Sequence, residues 1–376
     1  MSSESGIIWT DSTWSPVTGC TKVSAGCKNC YAEREVDIRW SKNPKSIFYG
    51  RAFADVRCHE EMLKQPLYWK KPRKIFVCPR GDLFHPDVPD NFITDVFMVM
   101  AAASKHTFQV LTKRPERMRD FMLHLMAKPM PDSVRDAALD RARWFEDADA
   151  MDDYIQQQIE DGFPNVWLGV SIEDQATADE RIPLLLQTPA TVRWISAEPL
   201  LGSVDVSRWI NPTGVTCPDV CPDTHYVADG DVETFVSNGE TIPLCPYCGI
   251  TASWTGYDAG IDWIVAGGES GAKARPMHPE WTRSLRDQCV AAGVPFLFKQ
   301  HGEFLGGLEV ANEQIDASKS GGWVSLDGAY HNGNDRSAFR EGDAHVYRCG
   351  TKAAGRLIDG QEWNQYPYLT CVEAKA

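Results

Sequence analysis

The chain has no long hydrophobic run: its longest apolar stretch, around Phe97 to Ala103, is far too short to span a bilayer. It opens with no charged segment leading into an apolar one, so a cytoplasmic protein without a membrane partner is expected. Positive charge is also scarce. Lys and Arg number 38 against 52 Asp and Glu, a formal net charge of -14, and this excludes broad binding along a phosphate backbone, which depends on basic side chains releasing counterions. Any nucleic-acid contact must be local. Two segments offer one: Lys64 to Arg80, where Lys70, Lys71, Arg73 and Lys74 accompany Tyr68 and Trp69, and Lys113 to Arg119, with Arg114 and Arg117. Either can equally be a solvated basic face.

What the chain does have is length and thiols. Its 376 residues, 43% hydrophobic, allow one large domain with insertions or two domains, with a sizeable core. Twelve cysteines with no secretory leader argue against a disulfide framework and for metal binding or chemistry. Seven of them cluster, as Cys20, Cys27, Cys30 and as Cys217, Cys221, Cys245, Cys248; Cys58, Cys78, Cys289, Cys349 and Cys371 are scattered, as buried small hydrophobes are.

Short apolar runs alternate with helical patterns along the chain. Strands are predicted at Ile7 to Thr10, Lys74 to Cys78, Thr107 to Leu111, Val166 to Ile172, Val192 to Ser196, Ile261 to Ala266 and Val294 to Phe298. Helices are predicted at Tyr31 to Trp40, at Asp90 to Lys105 with Asp90 or Asn91 as N-cap, and at Trp281 to Ala292. Such alternation predicts a parallel sheet covered by helices. Polar residues follow nearly every strand, which suits the mouth of a TIM-like barrel better than the single switch point of an open sheet. The expected α/β architecture is a partial (β/α) barrel over residues 1–305 and an irregular C-terminal cap over 306–376. A helical insertion at 129–161 (Val134 to Phe145, Asp152 to Ile159) and a cysteine-rich insertion at 211–257 interrupt the barrel.

Three closely spaced thiolates can hold three corners of a cubane iron-sulfur cluster and leave the fourth iron open. The same three can belong to a zinc site completed by a distant ligand such as His59 or His85. The second group, Cys217-x3-Cys221 and Cys245-x2-Cys248, has the spacing of paired zinc knuckles; four thiolates would close a tetrahedral site and fold a zinc-ribbon-like insertion. An auxiliary iron-sulfur cluster is the alternative there. Cys78 ends a strand expected to point into the mouth, where it could donate hydrogen to a product radical or lie inert as a buried thiol.

The first loop, with Trp14-Ser15-Pro16-Val17-Thr18-Gly19 before it, resembles the phage- and prophage-associated branch of the radical S-adenosylmethionine (SAM) superfamily, distantly similar to spore photoproduct lyase. Further blocks carry the resemblance in order: Asp82-Leu83-Phe84-His85, Leu111 to Pro115, Leu168 to Glu173, Glu198 to Gly202, Gly267 to Gly271, Ala274 to Pro279 and Phe298-Lys299-Gln300. The loop departs from the usual superfamily pattern, with six residues in its first gap rather than three and with Tyr31 after the last cysteine rather than an aromatic before it. Tyr31 is the candidate to shield the cluster.

The resemblance implies a 4Fe-4S cluster on Cys20, Cys27 and Cys30, SAM on the open iron, and an electron donor such as flavodoxin or ferredoxin. It places Asp82 near the SAM amine. By charge and location Lys113 would meet the SAM carboxylate, Glu173 and Ser196 the ribose or amine, and Glu269 the adenosine or substrate; a fold-supporting ion pair or turn is the alternative for each. Gly267 and Gly268 would let backbone approach the cofactor. Glu198 would face SAM or substrate, with Lys299, Gln300, Arg275 and His278 on the substrate side. The implied reaction is hydrogen abstraction from a nucleic-acid base, foremost the radical isomerisation of a modified thymine such as α-glycylthymidine in phage DNA, and next a photoproduct-lyase-like repair. Either needs a flipped base or a single strand. A reading of another class is a zinc-dependent nucleic-acid-binding module.

Overall fold

The structure, a computed structural model, describes residues 5–210, 213–216, 224–227, 234–237, 240–244, 253–255, 260–307, 321–333 and 339–367. Seven strands form one sheet: β1 (Ser12–Trp14), β2 (Lys74–Val77), β3 (Thr107–Thr112), β4 (Val166–Ile172), β5 (Val192–Ala197), β6 (Trp263–Gly267) and β7 (Phe296–Gln300). Every adjacent pair is parallel, and the order across the sheet is the order along the chain. A doubly wound sheet would reverse its order at a switch point. Without a reversal all crossovers lie on one face, and the sheet curls into a half-barrel, a mixed α/β fold compatible with a partial TIM-like barrel.

Alternation along the strands sorts side chains between two cores. Facing the helices are Ile75, Val77, Phe108, Val110, Leu168, Val170, Ile195, Ile264, Phe296 and Phe298, in one large apolar cluster. The helices that close it include Asp90–Ala102, Pro115–Leu125, Gln175–Leu186 and Pro279–Ala292. On the inner face lies a second cluster of Trp9, Phe76, Trp167, Val192, Trp194, Trp263, Val265 and Leu297. Its rings meet at 4.7 to 6.3 Å between centroids, from Trp9 to Phe76, Trp194 and Trp263. These aromatics fill the N-terminal half of the interior. Toward the C-terminal ends the inward positions shrink to Gly169, Ser171, Ser196 and Gly267, so the half-barrel has an aromatic floor and an open polar mouth. Gly169 is needed where floor becomes mouth, since a Cβ there would stand 2.5 Å from Trp194 Nε1.

Several boundaries differ from expectation. The first strand is Ser12–Trp14, not Ile7 to Thr10; the chain turns at 7–10, with Thr10 N–H donating to the Ile7 carbonyl, which drops Trp9 into the floor. Pro89, not Asp90 or Asn91, is the N-cap of the helix Asp90–Ala102. The tail expected to be irregular carries a four-stranded antiparallel sheet of Phe304–Gly306, Ala344–Arg348, Gly321–Val324 and Tyr330–Asn332. Beyond it the chain runs along the free edge of β7, where Phe298 N–H donates to the Trp363 carbonyl and Gln365 N–H to that of Phe296. Tyr366 then stacks on Trp263 at 5.3 Å and donates to the Ile8 carbonyl, spanning from the last strand to the segment before the first. That cover occupies an edge otherwise available for pairing with other chains.

The helical insertion is present as Asp132–Ala142 and Ala148–Glu160. In the second insertion the strands Thr213–Thr216, Thr224–Val227 and Ser253–Thr255 form an antiparallel sheet, with a hairpin of Thr234–Ser237 and Glu240–Pro243. Cys217, Cys221, Cys245 and Cys248 lie outside the described residues. No helix among the described residues is long and apolar enough to cross a membrane.

Candidate functional site: a thiol loop over the half-barrel mouth

Charged side chains follow five of the strands and pair across the mouth. Past β2, buried Asp82 accepts from Thr112 Oγ1 at 2.8 Å, from the Phe84 amide at 3.0 Å and from Arg114 Nη1 at 2.7 Å. Past β4, Glu173 is fully buried and meets Lys113 Nζ, Arg181 Nη1 at 3.3 Å and Ser24 Oγ at 2.9 Å. Past β5, Glu198 receives Lys299 Nζ of β7 at 3.1 Å, with Ser196 Oγ donating to its other oxygen at 3.4 Å. Glu198 reaches Lys299 over the intervening β6 because Gly267 has no side chain; a Cβ there would stand 2.5 Å from Glu198 Oε1. Past β6, Glu269 accepts from Arg275 Nη2 at 2.7 Å and Asn29 Nδ2 at 3.0 Å. Burial alone would raise its carboxyl; the hydrogen bonds from Arg275 and Asn29 outweigh that and hold it below the usual range.

The thiol loop is fastened to these same groups. Besides Ser24 on Glu173 and Asn29 on Glu269, Arg114 Nη2 donates to the Thr21 carbonyl at 3.1 Å, Arg34 Nη1 to the Ser270 carbonyl at 3.0 Å, and Tyr31 Oη to the Pro79 carbonyl. Gly26, in the short turn Ala25–Cys27, lies so close to Glu173 that a Cβ would stand 2.5 Å from its Cγ. The loop therefore crosses the ends of β2, β3, β4 and β6. Cys30 precedes the helix Tyr31–Glu35. Cys20 and Cys30 pack on a small cluster of Ala32, Val36, Phe48 and Phe53.

Arg114 Nη1 donates to Cys20 Sγ at 3.5 Å while it holds Asp82, and Ser24 Oγ lies 3.8 Å from Cys27 Sγ. Burial, with Asp82 adding, pushes the Cys20 thiol up to about 11 against the pull of Arg114, and burial raises Cys30 as well. Cys27 acts electrostatically on both. Among the described residues no three His, Cys, Asp or Glu side chains converge closely enough for one metal ion. His59 and His85, the candidate fourth ligands for zinc, have both ring nitrogens engaged: His59 with Thr18 and Glu61, His85 with Thr21 and the Asp87 amide.

Other sequence candidates fall elsewhere. Cys78 does not end in the mouth: at φ 55 the backbone turns out of the strand and the thiol packs in the main apolar cluster, where burial raises it well above its ordinary range. The space beside Gly268 is taken by the chain itself, since a Cβ would stand 2.0 Å from the His301 carbonyl oxygen. His278 caps the helix Pro279–Ala292 and lines a cavity of about 830 Å³ shared with Trp323, His345 and Tyr347 of the antiparallel sheet. Tyr68, Trp69 and their lysines precede β2, at the floor end, so they cannot stack on a base held in the mouth. In the other basic segment Lys113, Arg114, Arg117 and Arg119 are all in ion pairs.

Ser24, Asn29 and Arg181 are not candidates on sequence grounds, and Arg114 stands out there only as local positive charge within the block Leu111 to Pro115. Arg181 carried a signal, being a charge on the apolar stripe Ala178, Ile182, Leu185 of its helix. Ser24 and Asn29 carried none, because polar loop residues are unremarkable until their partners are known. Beneath the mouth, Trp9, Trp167 and Trp194 Nε1 and Gln109 Oε1 are buried with no hydrogen-bond partner among the described residues. Each such group costs about 1–3 kcal/mol unless satisfied, so the interior retains capacity to bond water or a ligand.

No curated protein and no solved structure is matched by the chain. A family model described as a protein of unknown function, DUF5131, matches residues 4–367, floor, mouth and thiol loop together, and the chain belongs to that family.

Proposed function

We propose that this chain is a radical SAM enzyme on a partial (β/α) barrel, with a 4Fe-4S cluster held by Cys20, Cys27 and Cys30. The observation that carries the reading is the fastening of a three-thiol loop, by Ser24, Asn29 and Arg114, onto charged groups at the strand ends of a parallel half-barrel. Three free thiols on one loop match the three protein ligands of a cubane whose fourth iron is left open, whereas a tetrahedral zinc needs a fourth side chain, and His59 and His85 have both ring nitrogens engaged. Reduced by one electron, such a cluster would supply the electron that cleaves bound SAM to methionine and a 5′-deoxyadenosyl radical able to abstract hydrogen from unactivated carbon.

The protein's part is placement and exclusion. Asp82 holds Arg114 against Cys20, and Glu173 holds Ser24 and so the turn carrying Cys27. Lys113 and Lys299 keep 19% and 28% of their side chains exposed while Glu173 and Glu198 keep 0% and 13%, so the cations are the more accessible ends of their pairs and suit the SAM carboxylate or an acidic substrate group. Ser196, Glu198 and Glu269 line the rest of the mouth. The tryptophan floor shuts the far end against water, as radical chemistry requires. Cys217, Cys221, Cys245 and Cys248 are proposed as a structural zinc site, and flavodoxin or ferredoxin as electron donor.

For the substrate we infer a nucleic-acid base, a modified thymine undergoing radical isomerisation, presented flipped or single-stranded because a base stacked inside a duplex cannot enter the interior of a half-barrel. The test is anaerobic reconstitution with iron and sulfide, followed by reduction with SAM present. A brown protein that yields 5′-deoxyadenosine, and a Cys30→Ala variant that yields none, is the expected result. Colourless protein that binds only zinc and leaves SAM intact would sink the proposal. Nucleoside analysis of hypermodified, ultraviolet-damaged and plain DNA after turnover then identifies the substrate.

A further inference from the structure

The segment from Thr21 to Arg57, which carries the thiol loop, runs against the charge of the rest of the chain. It holds eight Lys and Arg against four Asp and Glu in a protein of net charge -14. Three of those acids are committed: Glu33 to Lys22, Glu35 to Arg80, and Asp55 to Arg51 and Arg57. Lys28, Lys42 and Lys45 are exposed and form no ion pair among the described residues, and exposed Arg39 lies over the Trp40 ring at 5.2 Å. Lys273, also exposed, sits next to Lys28 because Asn29 donates to its carbonyl at 2.8 Å.

Large apolar side chains stand exposed in the same stretch: Ile38 at 66%, Tyr49 at 56% and Tyr31 at 43%. They are not loose ends of a poorly packed segment. Phe48, Val36 and Ala32, interleaved with them in sequence, are buried with Phe53 in the cluster that also seats Cys20 and Cys30. One face of this segment thus supports the thiols while the other offers cations and aromatic rings to solvent.

We propose that this outer face, Lys28, Arg39, Lys42, Lys45 and Lys273 with Tyr49, binds a single-stranded nucleic acid and feeds a base into the mouth. Cations neutralise phosphates and exposed rings stack on neighbouring bases, a combination that suits single strands and is sequence-tolerant. The local positive charge also answers how an acidic protein approaches a polyanion, since screening confines the repulsion from the rest of the surface to about 10 Å at 0.1 M salt. The inference rests on the reading of the mouth as the place where a base reacts. It replaces both basic segments expected from sequence, one of which lies at the floor end while the other is internally paired.

The test uses the full chain and a fluorescent 20-nucleotide single-stranded DNA, with anisotropy followed from low to high salt. Lys42→Glu/Lys45→Glu should weaken binding at least tenfold at low salt and flatten the slope of log K against log salt by about 1.4, roughly 0.7 per lost phosphate contact on a single strand. Tyr49→Ala should weaken binding without changing that slope. Lys70→Glu/Lys71→Glu, at the floor end, should match wild type. Unchanged affinity in the first two variants, or loss in the third, overturns the proposal. So does retained DNA binding with a loss confined to reduction by an acidic flavoprotein, which would make this the electron donor's dock. SAM cleavage driven by dithionite, measured on the same preparations, should be equal in wild type and all variants; its absence from wild type would count against the cluster reading and leave the binding result to stand by itself.

Discussion

Glu173 is the residue on which the mouth most depends, and removing its charge should show it. Its carboxylate is fully buried between Arg181, 2% exposed, and Lys113, and it also accepts from Ser24 of the thiol loop. Glu173→Gln keeps the shape and leaves the Arg181 guanidinium buried with only solvent-exposed Glu180, 4.0 Å from its Nε, as countercharge. Because both partners are nearly dry, screening does not rescue the loss, and removing one partner of such a pair costs about 3–5 kcal/mol. With an unfolding entropy of about 2.1 cal/mol/K per residue, that is a fall in Tm of about 4–6 °C for a chain of 376 residues. The second effect is local: with Ser24 holding a weaker acceptor, the turn bearing Cys27 should open, and alkylation of Cys20, Cys27 and Cys30 should quicken relative to buried Cys78 and Cys289. Combining Glu173→Gln with Arg181→Met should recover part of the stability, since the stranded charge is then gone. Urea unfolding and mass-spectrometric mapping of alkylation read both effects. A loss below about 1 kcal/mol, or thiols as protected as before, would refute the account of Glu173 as the link between loop and barrel.

Gly268→Ala should destabilise the protein by about 1–3 kcal/mol or more, because its Cβ would meet backbone, the His301 carbonyl at 2.0 Å, which cannot swing away; a variant as stable as wild type would mean that the β6 and β7 ends part freely. Arg114→Gln in reconstituted protein should move the cluster's midpoint potential to more negative values, since a cationic hydrogen bond to Cys20 Sγ favours the reduced state; an EPR-monitored redox titration with an unchanged midpoint contradicts this. His85, His106, His278 and His301 are all held below their ordinary 6.5, in each case chiefly by burial. The unfolded chain then binds protons that the folded one refuses, so stability is full above about pH 6.5 and falls as pH drops below it, by up to about 1.4 kcal/mol per histidine per pH unit within the window; urea midpoints that stay flat from pH 7 to pH 5.5 would show those imidazoles protonating freely in the fold.

Much of the sheet was legible because parallel strands buried on both faces read as compact apolar runs, and Val166–Ile172 stands where its pattern placed it. The polar residues at the strand ends were legible for the same reason, each being the point where an apolar run stops. Pairing among them was not. Nothing in the sequence couples Glu198 to Lys299, 101 positions apart, or Asn29 to Glu269; strand order brings them together, and Gly267 lets the first pair meet. Tyr68 and Trp69 misled because charge and aromaticity do not reveal which end of a strand they precede. Cys78 misled because a single left-handed residue turned its side chain into the core.

By itself, then, the sequence determined the alternation of strand and helix, the half-barrel that parallel crossovers build, and the chemical inventory of three thiols and a set of charged strand ends. The tertiary structure alone decided that the thiol loop lies across those ends, that the interior is closed below by tryptophan, and which basic face is left open. Periodicity is local and survives in a linear chain. Contact between residues far apart in sequence depends on strand order, curvature and the space left by a missing side chain, and these exist only once the chain has folded.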